Sequence, residues 1–352
     1  GIFGDYDVDG ASSTALLGNY FKIIKQNFEI YIPDRQSEGY GPSIKSFKKL
    51  INKKVNLIIT VDCGTMSFKA IEYANSNNID VIVLDHHQSE INLPKAFSVI
   101  NPNRVDDNSK LNYLCAAGVC FMTLISINAL LRKSNWFVEN KINEPDLLNF
   151  LDLVSLGTIC DVVPLVGLNR AIVKQGLKIF NLKKNLGLKT LIDICKIESK
   201  TSTYHLGYII GPRINAGGRV GKCSHGANLL LNKNPRESFQ LATELEMFNS
   251  ERKKLEKDLL NAVLNTVSKN INDPVLVLQG NNWHEGIIGI IASRIKEKFN
   301  KPTVIISINN DTGKASARSI IGFDIGAVIL SALQNNLLIK GGGHKMAGGF
   351  SI

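Results

Sequence analysis

Residues 56–62 (NLIITVD) and 80–87 (DVIVLDHH) decide the fold. Both carry an unbroken apolar run that is short for a helix and lacks the alternation of a strand facing water. Such runs are strands of a parallel sheet covered on both faces. Each delivers acid at its carboxyl end, Asp62 after the first and Asp85-His86-His87 after the second. Ile2-Phe3 leads in the same way into GDYDVDG, with Asp5, Asp7 and Asp9. Open α/β sheets carry their sites beyond the carboxyl ends of their strands, so three acidic clusters at three such ends predict one site. The i, i+2, i+4 spacing of Asp5, Asp7 and Asp9 puts all three on one side if that segment stays extended. Ser12 and Ser13 are then caps for a helix bearing Ala15, Leu16, Tyr20, Phe21 and Ile24.

Beyond this region short apolar runs keep alternating with helical stretches, the pattern of a parallel sheet with crossover helices. From about Tyr113 to Lys233 the chain reads as mostly helical and includes Asp161 in LGTICDVVPL and the basic, Gly-rich GPRINAGGRVGK. From Pro235 to Lys269, Phe239, Ala242, Leu245, Leu255, Leu259 and Val263 recur at near-helical spacing without internal Gly or Pro, which predicts one long, exposed helix. The α/β alternation then restarts with PVLVLQG, TVIISI and KASARSI and ends in GGGHKMAGGF. The expected architecture is α/β in two lobes: a parallel-sheet domain with a helical extension over residues 1–233, a connecting helix over 234–269 and a smaller α/β domain over 270–352.

At 352 residues, 44% hydrophobic and 20% charged, the composition is ordinary for a soluble globular protein. The net charge of +10 suits a polyanionic partner, although a chain this rich in Lys, Asn and Ile also gains lysine through biased codon usage. The six cysteines form no C-x-x-C pair and sit mostly in apolar surroundings, as reduced thiols of a cytoplasmic protein would. The apolar stretch from Ala116 to Leu131 is broken by Thr123, Ser126 and Asn128, which predicts a buried helix and no membrane span. Gly1 opens the chain in mid-strand pattern, so the sequence is expected to be the core of a longer protein.

If the acids converge, their repulsion is prohibitive without compensating positive charge. Carboxylates mixed with imidazole suit Mn²⁺ or Mg²⁺ better than a thiolate-loving metal. A cluster rich enough in oxygen to bridge two such ions is apparatus for attacking a phosphate ester. No Ser-His-Asp or Cys-His arrangement is legible, and Cys63 reads as a packing residue.

GDYDVDG, ITVDCG, LDHH and LGTICDVVPL resemble the four motifs of the DHH phosphoesterase superfamily. IPDRQSEGYG, GPRINAGGR, WHEGIIGIIASR, SARSIIGFDI and GGGHKMAGGF are similar to segments of its RecJ family, the bacterial single-strand-specific exonucleases. The resemblance implies a DHH domain followed by a DHH-associated domain, without the N-terminal segment and C-terminal OB-fold that complete such proteins. It implies Asp7, Asp9, Asp62, His86 and Asp161 as ligands of two Mn²⁺ or Mg²⁺ ions, Asp62 bridging, with Asp5 a further ligand or its neighbour. His87 would face the scissile phosphate, and Asp85 would orient a histidine or the local loop. Arg219, Ser316 and Arg318 are similar to a pocket for a 5′ phosphate; Arg213, Arg35, Tyr40 and His344 are further candidates along the strand. For each arginine the competing reading is an ion pair, and His205 and His225 read as structural.

The implied activity is 5′→3′ digestion of single-stranded DNA to nucleoside 5′-monophosphates in repair and recombination. The implied enzyme is a monomer, with a single-strand-binding protein and a helicase as candidate partners and no membrane. The competing functions are a DHH oligoribonuclease or cyclic-dinucleotide phosphodiesterase, and a non-catalytic DNA-binding replication scaffold.

Overall fold

The computed structural model describes residues 1–267 and 272–352, so the expected boundary between residues 269 and 270 lies outside the described residues. The chain forms two compact units, Gly1–Asn249 and Ser250–Ile352. The division falls inside the long helix, which spans Pro235–Val267.

In the first unit five parallel strands, β1 (Ile2–Phe3), β2 (Ile30–Tyr31), β3 (Leu57–Val61), β4 (Asp80–Leu84) and β5 (Ser98–Ile100), are ordered β2-β1-β3-β4-β5. Both faces are covered, as the unbroken apolar runs require. Ile2, Val61 and Leu84 pack among the helices Val8–Ile23, Ala116–Lys133 and Leu151–Cys160. Their neighbours Phe3, Ile58, Val81 and Val83 turn to the other face, against Phe47, Leu50, Ile71 and Ala74. Each fully buried Val, Leu, Ile or Phe among them contributes about 1.5–3 kcal/mol.

Register then sets the site. Phe3 pairs with Thr60, and Thr60 with Val83. Asp5, Asp62 and Asp85 each follow two residues later, so three adjacent strands release an aspartate at the same level.

Two expectations need correction. The segment through Asp9 is not extended: Asp7 caps the helix Val8–Ile23, its Oδ1 accepting from the Gly10 N–H at 3.0 Å, and Asp9 lies in the first turn. A carboxylate at that position satisfies an orphan N–H, so Ser12 and Ser13 are not caps but fully buried residues inside the helix. The Gly-rich GPRINAGGR, read within the mostly helical region, forms the helix Gly211–Val220, entered through a π-helical turn, His205–Ile210. Its small residues let it pack tightly.

The helix Ala116–Lys133 is long and apolar enough to cross a membrane by length and composition alone. Its Ala117, Val119, Cys120, Phe121 and Leu124 lie in the core of the first unit.

The second unit carries a mixed sheet ordered β6-β7-β8-β10-β9, from β6 (Leu276–Asn281), β7 (Thr303–Asn309), β8 (Thr312–Arg318), β9 (Lys340–His344) and β10 (Ala347–Ser351). Among these described strands only β6 and β7 pair in parallel. Ala315 and Ala317 of β8 pack on Ile325 and Ile329 of the helix Ile325–Gln334, which leaves Lys314, Ser316 and Arg318 on the opposite face with the helix Glu285–Phe299.

Candidate metal centre

The ends of β1, β3 and β4 bring together the groups that the sequence separates. His86 Nε2 lies 3.2 Å from Asp62 Oδ1, 3.6 Å from Asp161 Oδ2 and 3.9 Å from Asp9 Oδ2. Three overlapping sets could each hold a cation: Asp5, Asp7 and Asp62; Asp9, His86 and Asp161; and Asp62, His86 and His87, with ligand atoms inside each set within 4.8 Å of one another. Asp62 and His86 are each shared between two of the sets.

The electrostatics fit a cation. Burial, then Asp7, Asp9 and Asp5, push Asp62 well above the usual carboxylate range. Burial and Asp7 do the same to Asp5, and burial with Asp9 and Asp7 raises Asp161 to about 8. Asp5 Oδ1, His86 Nε2 and Asp161 Oδ2 are buried without a hydrogen-bond partner. Buried acceptors left unpaired and facing one another are costly, and positive charge among them removes the cost.

Further contacts hold these groups in place. The helix Ala116–Lys133 points its first N–H groups at Asp9: Ala116 and Ala117 donate to its two oxygens at 2.6 and 3.0 Å. Asp62 sits in left-handed backbone, at φ 61°, as does Val162 after Asp161, at φ 59°. Such conformations cost energy in a non-glycine residue and cluster at functional sites. Tyr40, between Gly39 and Gly41 at φ 82° and 76°, donates its hydroxyl to the Asp62 carbonyl at 2.8 Å and meets His87 at 3.1 Å.

Asp85 does different work. Its carboxylate accepts from the backbone N–H groups of Thr65, His86 and His87 and pairs with His87 Nδ1 at 2.8 Å. Burial opposes its charge, but His87 and Thr65 outweigh it and hold Asp85 well below the usual range. Burial likewise opposes a charged His87, yet the Asp85 bond lifts it to about 9. Burial moves His86 down instead, against the pull of the nearby Asp9.

Sequence reading missed several supports. Asn101 donates to the His87 carbonyl at 2.8 Å and Asn103 to the His86 carbonyl at 2.5 Å. Their signal was present in the NPN that follows the apolar SVI of β5. Asn215 accepts the Val8 N–H at 3.2 Å, and Gly218 lies against Tyr6, where a Cβ would stand 3.0 Å from the Tyr6 carbonyl. The helix Gly211–Val220 thus buttresses the loop that carries Asp5 and Asp7.

The basic candidates divide. Arg213 is turned into an ion pair with Glu246 and donates to the Ile209 carbonyl, so its side chain serves the junction with the long helix. Arg35 stacks over the Tyr6 ring at 5.2 Å, next to the acids. Arg219 is half-buried at the end of its helix. Ser316, Arg318 and His344 belong to the second unit. Arg318 donates to Ser316 Oγ at 3.2 Å, and Gly289 on the covering helix leaves room for both. Ala347 of β10 pairs with Arg318 on one side and His344 on the other, which places the two basic residues in one row across the sheet. His225 is buried against Glu244 at 2.6 Å and His205 bonds Ser202.

The DHH family N-terminal domain matches residues 1–158 and the DHHA1 domain matches residues 272–352. A crystal structure of exonuclease RecJ bound to manganese aligns with a TM-score of 0.82 and 31% identity, over 100% of this chain and 85% of that one. This chain belongs to the RecJ family. The single-stranded-DNA-specific exonuclease RecJ of Escherichia coli (strain K12) is 37% identical over 362 residues, covering 100% of this chain and 63% of that protein. RecJ of Thermus thermophilus in complex with Mn²⁺ superposes with a TM-score of 0.83 at 30% identity, over 100% of this chain and 49% of that one. The chain therefore spans less than two thirds of the length of these two RecJ proteins.

Proposed function

We propose that this chain is the catalytic core of a metal-dependent 5′→3′ exonuclease that degrades single-stranded DNA to nucleoside 5′-monophosphates. The observation that carries the reading is the meeting of Asp9, Asp62, Asp161 and His86 around one point, with buried acceptors that lack partners. RecJ relatives named as single-stranded-DNA-specific exonucleases, and RecJ structures holding Mn²⁺ or Mg²⁺, support it.

Asp7, Asp9, Asp62, His86 and Asp161 would hold two such ions, with Asp5 beside them. Bound there, the ions supply Lewis acidity that activates water and neutralises phosphate charge. The remaining work belongs to the chain. Asp85 keeps the His87 ring oriented and protonated through the 2.8 Å bond, so His87 offers a donor to a non-bridging phosphate oxygen. Attack at phosphorus expels the 3′ oxygen of the terminal nucleotide and leaves the scissile phosphate on the 5′ oxygen of the next, so each nucleotide departs with the 5′ phosphate it already carries. Ser316 and Arg318, with a hydroxyl and a guanidinium side by side, would take a 5′ phosphate. A single-strand-binding protein and a helicase fit as recruiting partners for a cytoplasmic monomer acting in repair and recombination.

The test uses long single strands, blunt duplex and dinucleotides of the same sequence, with Mn²⁺, Mg²⁺ or EDTA. Metal-dependent digestion of the long strand from its 5′ end, with duplex resistant, is expected. Cleavage confined to dinucleotides would transfer the chain to the small-substrate phosphodiesterases, and strand binding without turnover would make it a scaffold.

A further inference from the structure

Tyr204 and Tyr208 stack on each other at the surface, ring centroids 5.2 Å apart and planes 27° from parallel. They are 60% and 74% exposed. Two aromatic rings left in water while already stacked form a flat, fixed face whose own order costs nothing further when a third ring is added. Their backbone is unusual too: Tyr208 lies within, and Tyr204 immediately before, the π-helical turn His205–Ile210, a form that is rare and concentrated at functional sites.

The turn rests on the helix that ends in Asp161. Cys160 Sγ donates to the Leu206 carbonyl at 3.4 Å, and a Cβ at Gly207 would meet Ile159 Cγ2 at 3.3 Å. The residue next to Cys160 is Asp161, which faces His86 in the metal centre. The stacked pair is thus carried on the element that presents a metal-site carboxylate. Exposed Lys196 and Lys200 precede it in the chain, with Glu198 between them.

We infer that Tyr204 and Tyr208 form a stacking platform for an unpaired base of the strand being degraded, on the 3′ side of the scissile bond. The inference rests on the nuclease reading above and adds a contact to it. A duplex keeps its bases inside the stack and cannot offer one to the platform, so the pair would add to single-strand preference by attraction. Stacking on an aromatic ring is tolerant of sequence, because every base has a π face.

The test is equilibrium binding of a 5′-phosphorylated oligothymidylate in EDTA, read by fluorescence anisotropy. It compares the wild type with Tyr208→Ala and Tyr208→Phe, and an intact strand with one carrying abasic sites. Tyr208→Ala is expected to weaken binding about tenfold. Tyr208→Phe keeps the ring and should retain affinity, which would assign the loss in the alanine variant to the ring and not to the hydroxyl. Abasic sites should weaken binding to the wild type and change little for Tyr208→Ala. With metal restored, the alanine variant should show a raised KM for long strands and an unaltered kcat. Equal affinity of wild type and Tyr208→Ala, or equal sensitivity of both to abasic sites, would overturn the platform while leaving the nuclease intact. A wild type that neither binds nor cuts single strands would overturn both.

Discussion

A Cβ at Gly157 would stand 2.5 Å from Asp9 Oδ1 and 2.9 Å from the Ala117 side chain. Two helices and the Asp9 carboxylate therefore meet where only a hydrogen fits. Gly157→Ala should displace Asp9 from the Ala116 and Ala117 N–H groups and lower metal affinity about 10–100-fold. Titration of nuclease activity against Mn²⁺ checks it, and the variant should regain part of its rate at high Mn²⁺. An unshifted titration would mean that the helices give way and Asp9 stays.

Asp62 and Asp85 are both buried carboxylates with opposite environments. Asp62 faces other acids, whereas Asp85 collects backbone donors and the His87 ring. In EDTA at pH 8, Asp62→Asn should stabilise the fold by about 1–3 kcal/mol and Asp85→Asn should destabilise it by a similar amount. Both should lose activity. Urea unfolding of the two variants decides it, and equal shifts of the same sign would refute the distinction.

Asp152, which belongs to none of the candidate metal-holding sets, gives a pH dependence of its own. It is 3% exposed, and burial raises it to about 6, against which the Leu153 N–H and Lys184 work only weakly. A folded-state value above the unfolded one favours the protonated form. Its stability is present below about pH 4 and lost as pH rises through 6. Asp152→Asn should therefore match the wild type near pH 4 and exceed it by up to about 3 kcal/mol at pH 8. Unfolding curves at the two pH values check this; a difference independent of pH would contradict it.

Arg213, paired with Glu246, should matter for folding and not for DNA. Arg213→Ala is expected to cost about 1–3 kcal/mol in stability with the salt slope of strand binding unchanged. Arg318→Ala should instead weaken binding of a 5′-phosphorylated strand more than that of a 5′-hydroxyl strand. A lowered salt slope in Arg213→Ala would return it to the DNA contacts.

The parallel sheet and the acids at its strand ends were legible because apolar runs without alternation, each ending in Asp, constrain both burial and register. Asp161 was not legible from spacing: it lies 76 residues beyond Asp85 and reaches the site through a helix–helix contact that only the LGTICDVVPL resemblance flagged. The cap at Asp7 was misassigned to Ser12 and Ser13 because alternating acids mimic a strand until the orphan N–H of Gly10 is counted. Arg213 shows the opposite limit. Its motif pointed to phosphate, while its partner Glu246 sits 33 residues away on the long helix, where no local pattern links them. Tyr204 and Tyr208 gave no signal in sequence, since i, i+4 aromatics usually mark a buried face; here that face is exposed.

The most direct test of the central claim is release of mononucleotides from a long 5′-phosphorylated single strand by wild type and Asp62→Asn, with Mn²⁺ or EDTA. Release of nucleoside 5′-monophosphates by the wild type with Mn²⁺, abolished by EDTA and by Asp62→Asn, is the predicted result. Release that survives EDTA, or that Asp62→Asn retains, would contradict a metal centre built on Asp62.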